Sequence, residues 1–340
     1  MTTETWRNEL NKDAISGSEL MMMGLHRELG EEFLDDFQII LSRPRELDPN
    51  KIRIFWAHDM PEDPESVKAL SNNGWKKFHR FVFVSNWQQQ RYIEQFKIPW
   101  SRTIVFRNAL QPIDVSVEDK FNIDPVEDTI RLIYHTTPHR GLGILIPAFN
   151  EICKCTENVH LDVYSSFDIY GWPQANEKFQ PLFDDIIAHD NMTYHGSVPN
   201  EVVREALAKA HIFAYPSVWA ETSCVALIEA MSAGCLCMHP NYGALPETAA
   251  GWTYMYPYHE EPPIHARQMH DVMMHGIDLI RNKDEGLGIK LHTQKSYTDV
   301  NYSWEYRKHE WISYLGSLRE LPREIESSVE GETWTYDVNV

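Results

Sequence analysis

Two glutamates eight positions apart, Glu221 and Glu229, are the residues whose type and spacing most directly suggest chemistry. An unbroken apolar run lies between them, and a glycine follows the second glutamate five residues later. Thr222 or Ser223 is a suitable helix N-cap, and glycine commonly follows the end of a helix. The pattern therefore predicts a helix that begins at one of these two residues and ends near Ala233.

The apolar residues of this helix are consecutive, so the helix has no polar face and should be buried on all sides. Glu229 would then be a carboxylate inside a packed layer, where an unpaired charge is strongly unfavourable. No Lys or Arg occurs between Ala210 and Thr248, so no cation of this segment can pair with it. We expect a ligand to supply the missing partner.

Glu221 lies at the start of the helix, where outward-pointing backbone N–H groups favour anions. Eight residues separate the two carboxylates by about 12 Å along the helix axis and by about 80° around it. Both can therefore face one cleft and bind a ligand with hydroxyls at both ends and an anionic centre, such as a nucleotide sugar. Glu229 would bind the ribose, the helix start at Ser223, Cys224 and Val225 the diphosphate, and Glu221 the sugar.

The residues around the glutamates extend the motif. Pro216-Ser217 precede it, Glu-Ala-Met-Ser-Ala-Gly begins at Glu229, and Gly243-Ala244-Leu245-Pro246-Glu247 follows. This arrangement resembles the signature of the retaining glycosyltransferases of family 4, also called group 1 glycosyltransferases. The resemblance implies an α/β protein of the GT-B fold, with two Rossmann-like parallel-sheet domains that face a central cleft and a short N-terminal domain. A buried helix whose glutamates bond only to backbone is the alternative.

The elements that would position these residues are short runs of apolar, β-branched and aromatic residues that predict parallel strands. They lie at 37–41, 52–56, 81–85 and 103–106 in the first half, and at 130–134, 161–164, 212–215 and 235–238 in the second. The stretch 192–199 is predicted to be a strand followed by a loop. We expect an acceptor-side domain at 1–113, a linker at 114–128, a nucleotide-sugar-binding domain at 129–302 and an acidic tail at 319–340. By resemblance, a helix near 303–318 crosses back to the first domain.

Two N-terminal residues are further candidates. Gly17 opens a predicted helix in a loop similar to the family's Gly-Gly-x-Glu loop, with Ser16 in place of the first glycine, although no strand is evident before it. The loop either approaches the donor or is an ordinary N-cap. His58 follows the strand at 52–56, and ligands gather at such strand ends. The resemblance implies that His58 contacts the donor sugar or the acceptor, and a structural histidine is the alternative.

The loop after the strand at 130–134 carries the remaining charge. The family has an Arg and, five residues later, a Lys that neutralise the donor diphosphate, and here His135 and Arg140 occupy these positions. Arg140 keeps a permanent charge and bidentate geometry, whereas His135 is charged only when protonated, so donor affinity should rise as the pH falls. The resemblance also implies that backbone at Ser197 and Val198 contacts the nucleobase.

Composition limits the function classes. The formal charge of −19 argues against nucleic acid as the main partner without excluding it, because such binding needs basic surfaces. A transferase that glycosylates a nucleic-acid base remains open through the basic stretch Lys76–Arg80. So do a sugar-phosphate synthase or phosphorylase reaction and a non-catalytic nucleotide-sugar-binding scaffold. The acceptor is not predicted.

The sequence lacks the marks of a membrane, secreted or metal-dependent enzyme. There is no signal-peptide pattern and no apolar run of 18 residues, and the five cysteines are an odd number, so we expect reduced thiols in a cytoplasmic protein. There is also no Asp-x-Asp triplet, which by resemblance marks the metal-dependent glycosyltransferase fold. We therefore expect neither a metal nor another cofactor besides the nucleotide sugar.

Overall fold

The computed structural model describes residues 16–44 and 46–325. These residues form two compact units, each built on its own sheet. Of the described residues, 25–44, 46–107 and 308–325 belong to the four-stranded unit, and 16–24 and 108–307 belong to the six-stranded unit. The stretch before Ser16, where a strand preceding Gly17 would be found, lies outside the described residues, as does most of the acidic tail.

The four-stranded unit has four parallel strands in the order β1-β2-β3-β4. They are β1 (Phe37–Leu41), β2 (Ile52–Ala57), β3 (Arg80–Phe83) and β4 (Thr103–Val105), with helices α1 (Gly17–Leu29, which starts in the other unit), α2 (Glu31–Leu34), α3 (Pro64–Leu70) and α4 (Asn86–Phe96). Buried aromatic rings such as Phe55, Phe81 and Tyr92 fill its core. Strand β3 ends earlier than predicted because Ser85 is the N-cap of α4 and accepts the N–H of Gln88.

The six-stranded unit is all-parallel, in the order β7-β6-β5-β8-β9-β10. Its strands are β5 (Ile130–Tyr134), β6 (Val159–Val163), β7 (Met192–Tyr194), β8 (Ile212–Ala214), β9 (Leu236–Pro240) and β10 (Tyr254–Tyr256). Its helices are α5 (Val117–Phe121), α6 (Leu142–Cys155), α7 (Gln180–Ile187), α8 (Asn200–Lys209), α9 (Val225–Ser232), α10 (Leu245–Ala249), α11 (Pro262–Arg281), α12 (Glu285–Asn301) and α13 (Trp304–Leu318, which continues into the other unit).

This strand order is the doubly wound order 3-2-1-4-5-6, counted from β5. The order reverses between β5 and β8, and such a switch point opens a crevice at the carboxyl ends of the two strands. The strands are nearly continuous runs of buried apolar residues because helices cover both faces of a parallel sheet. The predicted fold class, α/β with two Rossmann-like parallel sheets, is confirmed.

The segment expected to be a linker, 114–128, contains α5 and packs into the six-stranded unit. Val117 is buried in the core, and the buried Lys120 donates its ammonium protons to the carbonyls of Leu207 and Ala233 at 2.9 and 2.7 Å. These bonds satisfy carbonyls at the ends of α8 and α9. Within residues 16–44 and 46–325, no helix combines the length and hydropathy needed to cross a bilayer.

Candidate functional site

The loops that follow β5 and β8 meet at the switch point. Gly141 has φ 132°, and a Cβ at this position would overlap the carbonyl oxygen of Pro216 in the facing loop. Val218 also donates its N–H to the carbonyl of Arg140 at 3.2 Å. Glycine at 141 therefore allows the two loops to approach closely, because any side chain would separate them.

Arg140 and Glu221 form an ion pair between these two loops. The guanidinium Nη1 of Arg140 and the hydroxyl of Tyr215 both donate to Oε1 of Glu221. The side chains of Arg140 and Glu221 are only 22% and 7% exposed. Burial is the largest single effect on the pKa of Arg140 and lowers it. The Glu221 carboxylate, the Tyr170 and Tyr215 hydroxyls and the hydrogen bond to Glu221 together outweigh burial and raise that pKa well above its ordinary value. Burial and the same carboxylate raise the pKa of Tyr215, so its phenol stays protonated and donates.

The glycine of the Gly-x-x-Pro-Glu motif fixes the backbone of Glu221. Gly243 has φ 59°, and a Cβ on it would lie 2.7 Å from the backbone nitrogen of Glu221. The next residue, Ala244, donates its N–H to the carbonyl of Glu221 at 2.7 Å. The two halves of the predicted motif are therefore in direct contact, which explains why a glycine is needed at 243.

Helix α9 starts slightly later than predicted. Its N-cap is Cys224, whose Sγ accepts the N–H of Leu227 at 3.4 Å, so the expectation of a Thr222 or Ser223 cap was wrong. The carbonyl of Ser223 accepts a hydrogen bond from the Asn108 side chain at 3.2 Å. Val225 is the first helical residue, and the N–H groups of this first turn are the positive end of the helix dipole.

The start of α1 lies against the start of α9. A Cβ on Gly17 would be 3.2 Å from Cγ2 of Val225. Two helix N-termini therefore lie side by side, an arrangement that favours an anion. The Glu19 carboxylate accepts hydrogen bonds from both the N–H and the hydroxyl of Ser16, as in an ordinary capped helix start.

Glu229 is buried as predicted, but the protein provides its partners. Its Oε1 accepts hydrogen bonds from the Asn200 amide at 3.1 Å and the Arg204 guanidinium at 3.5 Å, and Arg204 also donates to the carbonyl of Gln111 at 2.6 Å. Burial raises the pKa of Glu229, while Asn200 and Arg204 act in the opposite direction. The expectation that only a ligand supplies the partner was wrong, because Arg204 on α8 lies just outside the cation-free segment of the sequence.

His135 is largely enclosed at the end of β5, with its ring centroid 5.0 Å from that of Phe213. Burial lowers the pKa of His135 to about 4. The imidazole is therefore neutral between about pH 5.5 and 8. Because His135 gains no positive charge in this range, it cannot cause the expected rise in donor affinity at lower pH. At neutral pH Arg140 is the cation of this loop.

The other predicted site residues lie in separate places. His58 is in the four-stranded unit directly after β2, where its N–H donates to the Ser42 hydroxyl at 2.8 Å and burial lowers the pKa of its imidazole to about 3. Ser197 and Val198 lie in the loop between β7 and α8. Nearby, the His195 ring bonds to Asp162 at 2.8 Å.

Sequence reasoning did not single out Tyr215 or Arg204. Tyr215 directly follows β8, and a polar ring at the carboxyl end of a parallel strand is itself a signal for a site residue. Arg204 lies on an amphipathic helix, where charged residues usually face solvent. Nothing in the local pattern of α8 indicates that Arg204 contacts α9.

A comparison with protein-family models matches residues 131–274 to the family "Glycosyl transferases group 1". The matched stretch contains β5 to β10 together with Arg140, Glu221 and Glu229. A curated relative is a phosphatidylinositol N-acetylglucosaminyltransferase component from Arabidopsis thaliana, which is 24% identical over 168 residues. That alignment covers 49% of this chain and 35% of the relative, so the chain spans about a third of the relative's length.

Solved structures share the fold. A glycosyltransferase from Rickettsia africae superposes with a TM-score of 0.63 at 14% identity, over 92% of this chain and 85% of that one. Anabaena HepE in complex with UDP-glucose also gives a TM-score of 0.63 at 14% identity, over 79% and 73% of the two chains. The family match and this shared architecture together confirm the resemblance to group 1 glycosyltransferases of the GT-B fold that the paired-glutamate motif predicted.

Proposed function

We propose that the protein is a retaining glycosyltransferase that moves a sugar from a nucleoside diphosphate sugar to an acceptor hydroxyl. The observation that carries this proposal is the meeting of Arg140 and Glu221 at the switch point of the six-stranded sheet. Open parallel sheets bind their ligands at this position. A guanidinium next to a carboxylate suits a ligand in which a diphosphate and sugar hydroxyls are neighbours.

The leaving diphosphate is stabilised by positive groups that are already in place. Arg140 has five N–H donors in a planar fork, so it can hold Glu221 and a phosphate oxygen together. The backbone at Ser223, Cys224 and Val225, at the start of α9, adds N–H donors, and Gly17 leaves room for the ligand at the start of α1. This is electrostatic stabilisation of charge that develops as the bond to the sugar breaks.

The remaining candidates in the six-stranded unit take roles along the same ligand. Glu221 orients the transferred sugar through the oxygen that does not face Arg140, and Glu229 accepts a bond from the ribose. His135 is a neutral hydrogen-bonding group beside the diphosphate, and the backbone at Ser197 and Val198 contacts the nucleobase. His58 of the four-stranded unit is proposed as a second catalytic group, whose neutral imidazole holds a substrate hydroxyl.

The reaction retains the configuration of the anomeric carbon. The bond from that carbon to the diphosphate oxygen breaks, the acceptor oxygen bonds to the same face, and the acceptor proton leaves with the diphosphate. We propose that no metal is needed, because the sequence lacks an Asp-x-Asp triplet and Arg140 supplies a permanent charge. Activity that survives excess EDTA would support this. The cytoplasmic location also stays a prediction.

The test uses UDP-glucose first, because the Anabaena structure contains it, followed by other nucleotide sugars. Binding is measured by calorimetry and turnover by release of UDP. Glu221→Gln should reduce donor hydrolysis by about 100-fold with UDP affinity nearly unchanged, and Arg140→Met should weaken UDP binding. Glu151→Ala is the matched control, since Glu151 is an exposed carboxylate of α6 that pairs with the exposed Lys154.

The outcomes separate the alternative functions. If nucleotide sugar binds to both the wild type and Glu221→Gln but is neither hydrolysed nor transferred by either, the protein is a nucleotide-sugar-binding scaffold. No binding of any nucleotide sugar would refute the proposal. A nucleic-acid base as acceptor would appear as a sugar-sized mass increase on an oligonucleotide incubated with donor and enzyme.

A further inference from the structure

Exposed tryptophan rings are linked to Arg140 by side-chain contacts. Among the described residues, three tryptophans have more than 40% of their surface exposed: Trp100 (66%), Trp172 (51%) and Trp219 (43%). Trp100 lies in the four-stranded unit, whereas the other two lie in loops at the carboxyl edge of the six-stranded sheet. Exposed aromatic surface of this kind often marks an interaction site.

These two tryptophans are connected through Arg140. The guanidinium carbon of Arg140 lies 5.6 Å from the ring centroid of Trp219, within the range of a cation–π contact. The Nη2 of Arg140 also donates to the hydroxyl of Tyr170 at 3.3 Å. The ring centroids of Tyr170 and Trp172 are 5.3 Å apart. Trp172, Tyr170 and Trp219 therefore form one surface around Arg140, called here the aromatic surface.

The loop that carries Trp172 is held in a defined conformation. The Asn176 amide donates to the hydroxyl of Ser166 at 3.0 Å and to the carboxylate of Asp168 at 2.9 Å. The side-chain oxygen of Asn176 accepts the N–H of Phe167 at 2.8 Å, and the Phe167 ring is buried. The exposed ring of Trp172 is thus supported by an ordered loop, and little entropy would be lost when a ligand binds to it.

We infer that the aromatic surface binds pyranose rings of a neutral oligosaccharide, and that the acceptor is a glycan of this class. The inference rests on the proposed function, because the surface surrounds Arg140 and its Trp219 is two residues from Glu221 in sequence. A sugar ring has an apolar C–H face that packs on an indole and hydroxyls at its edge that bond to polar groups. The surface alternates in the same way, with a guanidinium and a phenol hydroxyl between its two indoles.

Other ligands fit this surface less well. A nucleotide carries one base, whereas two exposed indoles are linked to Arg140, one directly and one through Tyr170. A lipid chain needs an apolar groove without an intervening charge. A polyanionic glycan is disfavoured by the net charge of −19. The two rings instead suit two sugar residues of one chain.

The experiment measures binding of defined neutral trisaccharides (maltotriose, cellotriose, mannotriose and chitotriose) to the full chain by saturation-transfer NMR, with UDP present. At least one should bind to the wild type. Trp219→Ala and Trp172→Ala should each weaken that binding by about tenfold, whereas Trp219→Phe, which keeps a ring, should retain most of it. Trp100→Ala is the matched control, because it removes an exposed tryptophan elsewhere.

The outcomes distinguish this inference from the proposed function. UDP affinity should stay within about threefold of the wild type in all four variants. If none of the trisaccharides binds, or if binding survives both alanine variants, the inference is overturned even when UDP binds normally. Loss of UDP affinity in Trp172→Ala with unchanged trisaccharide binding would mean that the ring stacks on the base, which also overturns it. If UDP fails to bind to the wild type, the proposed function fails instead.

Discussion

Replacing Arg204 by methionine should destabilise the six-stranded unit in a pH-dependent way. The guanidinium of Arg204 is 3.5 Å from the Glu229 carboxylate, which is 7% exposed. Unit charges at this distance attract each other by about 5 kcal/mol at an effective dielectric constant of about 20. Removing one partner of a buried pair typically costs about 3–5 kcal/mol, and Arg204 is partly exposed, so we expect a loss of about 3 kcal/mol at pH 8.

The sign of the pH effect follows from the pKa of Glu229, which burial already raises and which Arg204 helps to lower. Without Arg204 that pKa rises further, so the native state holds a proton that the unfolded state releases. The stability contributed by this proton is complete below the ordinary pKa of a glutamate and is lost as the pH rises through the folded pKa. The slope can reach about 1.4 kcal/mol per pH unit.

Urea denaturation at pH 5, 6, 7 and 8, followed by circular dichroism, measures this. Arg204→Met should lose least at pH 5, where mainly its hydrogen bond to the Gln111 carbonyl is missing, and should fall progressively further behind the wild type toward pH 8. The matched double variant Arg204→Met/Glu229→Gln has no charge at either position, so it should be flatter with pH and more stable at pH 8 than Arg204→Met alone. A constant difference between Arg204→Met and the wild type across this range would refute the reasoning.

Three further predictions concern the loops at the switch point. Gly141→Ala should lower the free energy of unfolding by about 2 kcal/mol or more and abolish UDP binding, because its Cβ would overlap a carbonyl of the facing loop. Thermal unfolding and calorimetry measure the two effects. Gly143→Ala in α6 is the control, because its Cβ would meet nothing within 4 Å. Tyr215→Phe should reduce kcat by about tenfold without changing the Kd for UDP, because Glu221 loses a hydrogen bond, and an unchanged kcat would contradict this. UDP-glucose affinity should be flat between about pH 5.5 and 8, since the pKa of His135 is lowered to about 4, and a rise toward pH 5.5 that disappears in His135→Asn would show otherwise.

Sequence patterns predicted the elements well where the signal is local. Strands β1 and β5 match the strands predicted at 37–41 and 130–134 at both ends. These boundaries depend on residues within a few positions of each other. The cap of α9 was misassigned because Cys224 uses a sulfur atom, which is a weaker and less common acceptor than the hydroxyls of its neighbours.

The part of the site that the sequence did not predict depends on contacts between distant residues. The burial of Glu229 follows from its apolar neighbours, but its pairing with Arg204 requires α8 to pack next to α9. Likewise, the contact of Gly243 with the backbone of Glu221 is set by the fold, although both residues belong to one sequence motif. The roles proposed for His58, Ser197 and Val198 stay predictions.

The close contact between Gly141 and Pro216 has a consequence for engineering and for evolution. Because the two loops leave no space between them, a substitution that enlarges one requires a compensating change in the other. A chimera that receives residues 135–141 from a relative should fold poorly unless it also receives residues 215–224 from the same donor sequence. The two stretches, about 80 positions apart in the chain, should therefore be inherited and exchanged as one unit.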